Sequence, residues 1–133
     1  MGQQQLLLIV LGVIIVGIAV AVGINMFAGG AAQANFDAVM NDLQKIASDA
    51  GGWYKKPTSL GGGGRTFENV TLSVLGAQSS NINGTYSIVG TPGVASFEVQ
   101  GVGVEDGDND GTNVTISITV YADSNSTPTI TSR

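Results

Sequence analysis

The side chains best placed for chemistry lie in one short run, Glu105-Asp106-Gly107-Asp108-Asn109-Asp110-Gly111, which holds four of the chain's ten acids. Asp106, Asp108 and Asp110, followed by Gly111, match the opening of a calcium loop, where alternate oxygens converge on a hard cation. The match then stops. The twelfth position of an EF-hand falls on Ser117 instead of glutamate, and a strand pattern follows where a helix belongs. Asp, Asn and Gly in this order also supply the geometry of a solvated hairpin turn. No cofactor is required, and Asp106, Asp108 and Asp110 are candidate ligands for calcium.

Four further polar sites match the N-x-Ser/Thr acceptor of N-glycosylation: Asn69-Val-Thr71, Asn83-Gly-Thr85, Asn113-Val-Thr115 and Asn125-Ser-Thr127. A Thr- and Asn-rich strand domain also produces such matches by chance. Asn83 and Asn125, expected in loops, are the more accessible of the four. Other chemistry is excluded by composition. Without Cys or His there is no thiolate nucleophile, imidazole base, Ser-His-Asp triad or ordinary zinc site. Gly61-Gly62-Gly63-Gly64 is followed by Arg65-Thr66 and a strand pattern, so it lacks the Lys-Ser/Thr ending and helix of a phosphate-binding loop. The clustered carboxylates lie in a wet turn with no pocket to raise a pKa. A net charge of −5, with only five basic residues, excludes a nucleic-acid partner. The expectation is a protein that is not an enzyme.

The elements that must position these groups divide sharply along the 133 residues, because every charge lies at or after Asp37. Residues 6–28 read LLLIVLGVIIVGIAVAVGINMFA, interrupted only by Gly12, Gly17, Gly23 and Asn25. As a helix, about 23 residues cover a hydrocarbon core roughly 30 Å thick. A secretory signal peptide has a shorter apolar run and a basic flank, whereas the flank here is Met1-Gly2-Gln3-Gln4-Gln5. Nothing basic precedes Lys45, although membrane orientation normally follows Lys and Arg beside the span. Either a basic leader directed insertion and was removed, leaving Met1 as a mature N-terminus, or Met1 is the initiator and weaker cues set the orientation.

Past Gly29-Gly30 the pattern becomes amphipathic. Phe36, Val39, Met40, Leu43, Ile46, Ala47 and Ala50 form one helical stripe, opposed by Asp37, Asn41, Asp42, Gln44, Ser48 and Asp49. The spacing predicts a helical segment over residues 1–50, about 70 Å of regular helix from residue 4 onward. Gly29-Gly30 is the expected place for a kink, and Gly51-Gly52 the expected stop. Residues 51–64 read as a Gly-rich connecting loop in which Trp53-Tyr54 covers the end of a core.

Residues 65–133 read as a small sheet domain, with strand candidates at 67–75, 85–89, 94–104, 113–121 and 129–131. Val114, Ile116, Ile118 and Val120 share one parity, as expected for an antiparallel strand with one buried face. Phe97 and Val99 share a parity that Val102 and Val104 do not, which predicts a bulge near Gly101. A sheet this small needs a second layer, and the helical stripe is the only apolar surface available for it. The fold class is therefore α+β: a long N-terminal helix, apolar and then amphipathic, packed against a small C-terminal antiparallel sheet.

This layout, opening with Met1-Gly2-Gln3-Gln4-Gln5-Leu6-Leu7-Leu8-Ile9-Val10, resembles type IV pilins and related pilin-like filament subunits. In that family the processed subunit begins with an N-methylated Phe or Met, matched by Met1, and carries glutamate at the fifth position, where Gln5 stands. Gln5 supplies a neutral hydrogen bond in place of a charge-assisted one. The resemblance implies a prepilin peptidase, an ATP-driven assembly machinery, and a helical homopolymer with helices inside and sheets outward. It also implies the cytoplasmic membrane as the location before assembly and a surface filament after it, serving adhesion, motility or attachment. Pseudopilins of secretion systems are a variant of the same layout. The alternative from a different class is a single-pass protein displaying a carbohydrate- or calcium-binding sheet domain.

Overall fold

The uncharged run and the amphipathic stripe share one helical period, and they form one helix. In the computed structural model, which describes residues 2–133, helix α1 spans Gly2–Lys55 without interruption. Met1 lies outside the described residues. The helix passes unbroken through Gly29-Gly30, where Ala28, Ala31 and Ala32 supply the strongest helix propensity around the pair. It also passes through Gly51-Gly52, one turn beyond the expected stop. Ala50 is fully buried there, and Trp53 and Tyr54 pack against the core just after the two glycines, so burial outweighs a cost of about 1 kcal/mol per glycine. Pro57 ends the helix instead, because the residue before a proline is driven out of helical geometry.

The glycine run then folds back over the helix end. The amides of Gly63, Gly64 and Arg65 donate to the carbonyls of Trp53, Lys56 and Tyr54 at the helix end, where carbonyls run out of partners within the helix. The ring of Tyr54 packs 4.7 Å from that of Phe67, which in turn lies 5.1 Å from Phe97.

Five strands follow as an antiparallel meander in sequence order: β1 (Ser80–Asn81), β2 (Gly84–Val89), β3 (Ser96–Gly103), β4 (Thr115–Tyr121) and β5 (Thr129–Ser132). Helix α1 lies across β3 and β4. The core joins Val39, Leu43, Ile46, Ala47 and Ala50 of the helix to Tyr86, Phe97, Val99, Val114, Ile116, Ile118 and Val120 of the sheet. The expected stripe is thus the second layer, with Phe36 and Met40 at its half-buried margin.

Two expectations fail for identifiable reasons. Residues 67–75 are not a strand. Phe67 and Val70 are buried three residues apart, the period of a turn, and local bonds such as Val70 N to Phe67 O (2.9 Å) and Ala77 N to Leu72 O (2.9 Å) replace sheet pairing. No bulge occurs at Gly101 either. β3 pairs continuously with β2 and β4, and its helix-facing positions after Val99 are Gly101 and Gly103, so Val102 and Val104 belong to the opposite face. The register shift lies instead between β4 and β5, at Thr115 and Ile116.

Candidate functional site

Residues 6–28 are exposed along their whole length, and the first buried residue of α1 is Ala32. Phe27 and Met26 are 85% and 74% exposed, and no side chain of the sheet domain covers the segment. The molecule therefore carries an uncovered apolar rod joined without a break to a helix that packs under the sheet. By length and composition this rod can cross a membrane, as an anchor or a signal sequence does. Gly12, Gly17 and Gly23 meet nothing within the chain, so they leave its flanks open to close approach by another helix. Gln5 lies on the first turns of the rod and is exposed.

Where the helix enters the sheet domain, polar residues fix it in place. Asn35, 6% exposed, donates through Nδ2 to the Asn83 carbonyl (2.7 Å), and its Oδ1 accepts from the amides of Val104 (3.0 Å) and Glu105 (3.3 Å). Two turns on, Asp42 Oδ2 accepts from Asn81 Nδ2 (2.9 Å), Asn83 Nδ2 (2.9 Å) and the Tyr86 hydroxyl (2.5 Å). Burial raises the Asp42 pKa, but the bonds from Asn83, Tyr86 and Asn81, with the charge of Lys45, outweigh it and hold the carboxyl below its ordinary value. Burial, reinforced by the Asp42 carboxylate, pushes the Tyr86 hydroxyl well above the ordinary tyrosine range. Sequence reading placed Asp42 on the wet side of the helix and did not single out Asn35. The available signal was positional: residue 35 falls four before Val39, so it puts a polar group on the apolar stripe.

The acidic hairpin joins β3 to β4 at the same end of the domain. Asp106, Asp108 and Asp110 bring one carboxylate oxygen each within 4.8 Å of one another, with Asp108 and Asp110 exposed. These carboxylates also organise the loop itself. Asp106 accepts from the amides of Asn109 (2.7 Å) and Gly111 (2.8 Å), and Asp110 accepts from that of Thr112 (2.8 Å). Asn109 and Gly111 adopt left-handed backbone (φ 60° and 89°), which suits Asn and Gly in a turn. The arrangement offers a cation three carboxylates, of which those of Asp106 and Asp110 also accept main-chain amides of the loop.

The four acceptor asparagines separate by their bonding. Asn83 is half-buried, with Nδ2 committed to Asp42, and Asn113 Nδ2 donates to the Gly103 carbonyl (3.0 Å). Asn125 is exposed, and Asn69 is exposed on a turn because its expected strand does not form. Accessibility thus favours Asn69 and Asn125 over Asn83. Compared with known protein families, curated proteins and solved structures, the chain matches none.

Proposed function

We propose that this chain is the structural subunit of an extracellular filament of the type IV pilus kind, polymerising through residues 6–28 with its sheet turned to solvent. One observation carries the reading: an uncharged, wholly exposed helical rod continues rigidly into a helix clamped under the sheet. Such a rod exchanges lipid for the equally apolar flanks of other copies without stranding a buried charge. Before assembly the rod resides in the cytoplasmic membrane. Leader removal before Met1, N-methylation, the assembly machinery, and roles in adhesion or motility come with the family resemblance. The test is electron microscopy of filaments sheared from producing cells, with peptide identification. The expected result is this chain as the repeating subunit; finding it only as a dispersed membrane monomer overturns the proposal.

A second reading, a membrane-anchored calcium-binding domain, is favoured by the convergence of Asp106, Asp108 and Asp110. It predicts that millimolar calcium raises the melting temperature of the full chain and that Asp108→Asn abolishes the rise. An unchanged melting temperature removes it.

A further inference from the structure

At the neck, where α1 leaves the sheet domain, a cavity of about 200 Å³ opens between the helix and the acidic hairpin. Gly29, Ala32 and Phe36 form its helical wall, and Gly107, Asp108 and Arg133 close the other side. It is smaller than the roughly 300–1,000 Å³ of drug-sized ligand pockets, and so fits a small group.

Its charges are arranged in an unusual way. The amides of Gly107 and Asp108 donate to the terminal main-chain oxygen of Arg133 (3.0 and 3.1 Å), which ties the arginine to the hairpin and engages its main-chain carboxyl group there. The Arg133 guanidinium lies over the Phe36 ring, 5.7 Å from its centre, so its stem follows the apolar wall. Among the described residues Arg133 takes part in no ion pair, with Asp108 or with any other acid. One side-chain cation, Arg133, and one side-chain anion, Asp108, therefore border a single cavity without pairing with each other, while the main-chain carboxyl group of Arg133 is turned to the amides of Gly107 and Asp108.

The depth of the cavity indicates what meets it. Its helical wall begins one residue and ends eight residues beyond Ala28, the last residue of the apolar run, which is about 1.5–12 Å of helix rise. The headgroup layer of a bilayer extends about 5–8 Å beyond the hydrocarbon on each side. A helix spanning with residues 6–28 thus sets the cavity among headgroups. We propose that it holds the headgroup of a zwitterionic phospholipid, with the phosphate on Arg133 and the ammonium group against Asp108. Arginine binds phosphate through paired N–H donors. The carboxylates of Glu105, Asp106, Asp108 and Asp110 disfavour a headgroup of net negative charge. The proposal deepens the filament reading and rests on its membrane stage.

The test uses the full chain in detergent, incubated with phosphatidylethanolamine or phosphatidylglycerol and examined by native mass spectrometry. Phosphatidylethanolamine is expected to be retained about fivefold better, the size of one charge-assisted contact. Arg133→Gln should lower its retention by a similar factor. Asp108→Asn should remove the preference between the two lipids. Arg133 and Asp108 are both exposed, and circular dichroism of the variants checks that the fold is kept. Equal retention of the two lipids, or indifference to both substitutions, overturns the proposal. So does displacement of the lipid by an equal concentration of soluble phosphoethanolamine, which would make the site one for a free metabolite. Flotation with phosphatidylethanolamine vesicles separates the two levels of the argument. A chain that fails to float refutes the membrane reading itself, whereas a chain that floats without lipid selectivity refutes only the headgroup site.

Discussion

Asp42 shows how one side chain joins two elements. Its Oδ2 gathers three donors from the β1–β2 hairpin, and one of them, the Tyr86 hydroxyl, is buried with its residue 4% exposed. Asp42→Ala strands that hydroxyl, with an expected cost of about 2–3 kcal/mol, whereas Tyr86→Phe removes donor and need together and should cost about 1 kcal/mol. The double variant should cost less than the sum, which denaturant titration followed by Trp53 fluorescence measures. The same pair sets a pH window. Folding lowers the Asp42 pKa, so its contribution is complete above about pH 4 and is lost as the pH falls below that. Folding raises the Tyr86 pKa, so its contribution is complete below about pH 10 and is lost above it. Stability should therefore fall at both extremes in the parent and flatten in Tyr86→Phe on the alkaline side; an unchanged alkaline limb would disprove the assignment. Asp106 makes a parallel case in the acidic hairpin. Its carboxylate accepts two backbone amides, so Asp106→Ala should cost about 1–2 kcal/mol with no calcium present.

Among the elements, the helix–sheet contact is closest where β3 has no side chains. A Cβ on Gly101 would stand 2.6 Å from Val39 Cγ1, and one on Gly103 would collide with Asn35 Oδ1. Gly101→Ala and Gly103→Ala should each cost about 1–3 kcal/mol by overpacking. Gly52, exposed on α1 with nothing within 4 Å, is the control: Gly52→Ala should stabilise by up to about 1 kcal/mol. If all three behave alike in thermal melts, close approach is not the reason for the β3 glycines. The same glycines mark the limit of what pattern alone reveals. The stripe from Phe36 to Ala50 and the alternation in β4 were legible because large apolar residues recur at the period of their element. The face of β3 was misread because its helix-facing positions after Val99 are glycine, which carries no hydropathy signal, while Val102 and Val104 advertise the other face. Residues 67–75 misled for a related reason, since apolar residues in a chain of turns are also closely spaced. The three loop aspartates were legible as a group because they are adjacent in sequence. The Asn35 and Asp42 contacts were not, because their partners lie 39 to 70 residues away.

At the scale of the whole molecule, the core extends across what sequence divided into helix and head. Val39, Leu43, Ile46, Ala47 and Ala50 supply one wall of it, so the sheet cannot be separated from the second half of α1 without losing that wall. The first half is independent of it. Residue 16 lies 16 positions before Ala32, about 24 Å of helix rise from the nearest buried residue. A change there should leave the sheet domain untouched while altering what the rod can join. Val16→Lys places one charge near the middle of residues 6–28. In a bilayer this costs about 2.5–3.5 kcal/mol for a single helix, relieved in part as the long side chain reaches toward the interface. A homopolymer allows no such relief, because every added copy brings the same charge into the same apolar bundle, next to its own kind. The expected outcome is a chain whose domain melts at the parent temperature and which still floats with vesicles, but which yields no filaments from producing cells. Val16→Leu, which keeps the rod apolar, should form filaments as the parent does. Filaments at parental abundance from Val16→Lys would show that residues 6–28 do not form the polymer's core, and would leave the rod as an anchor alone.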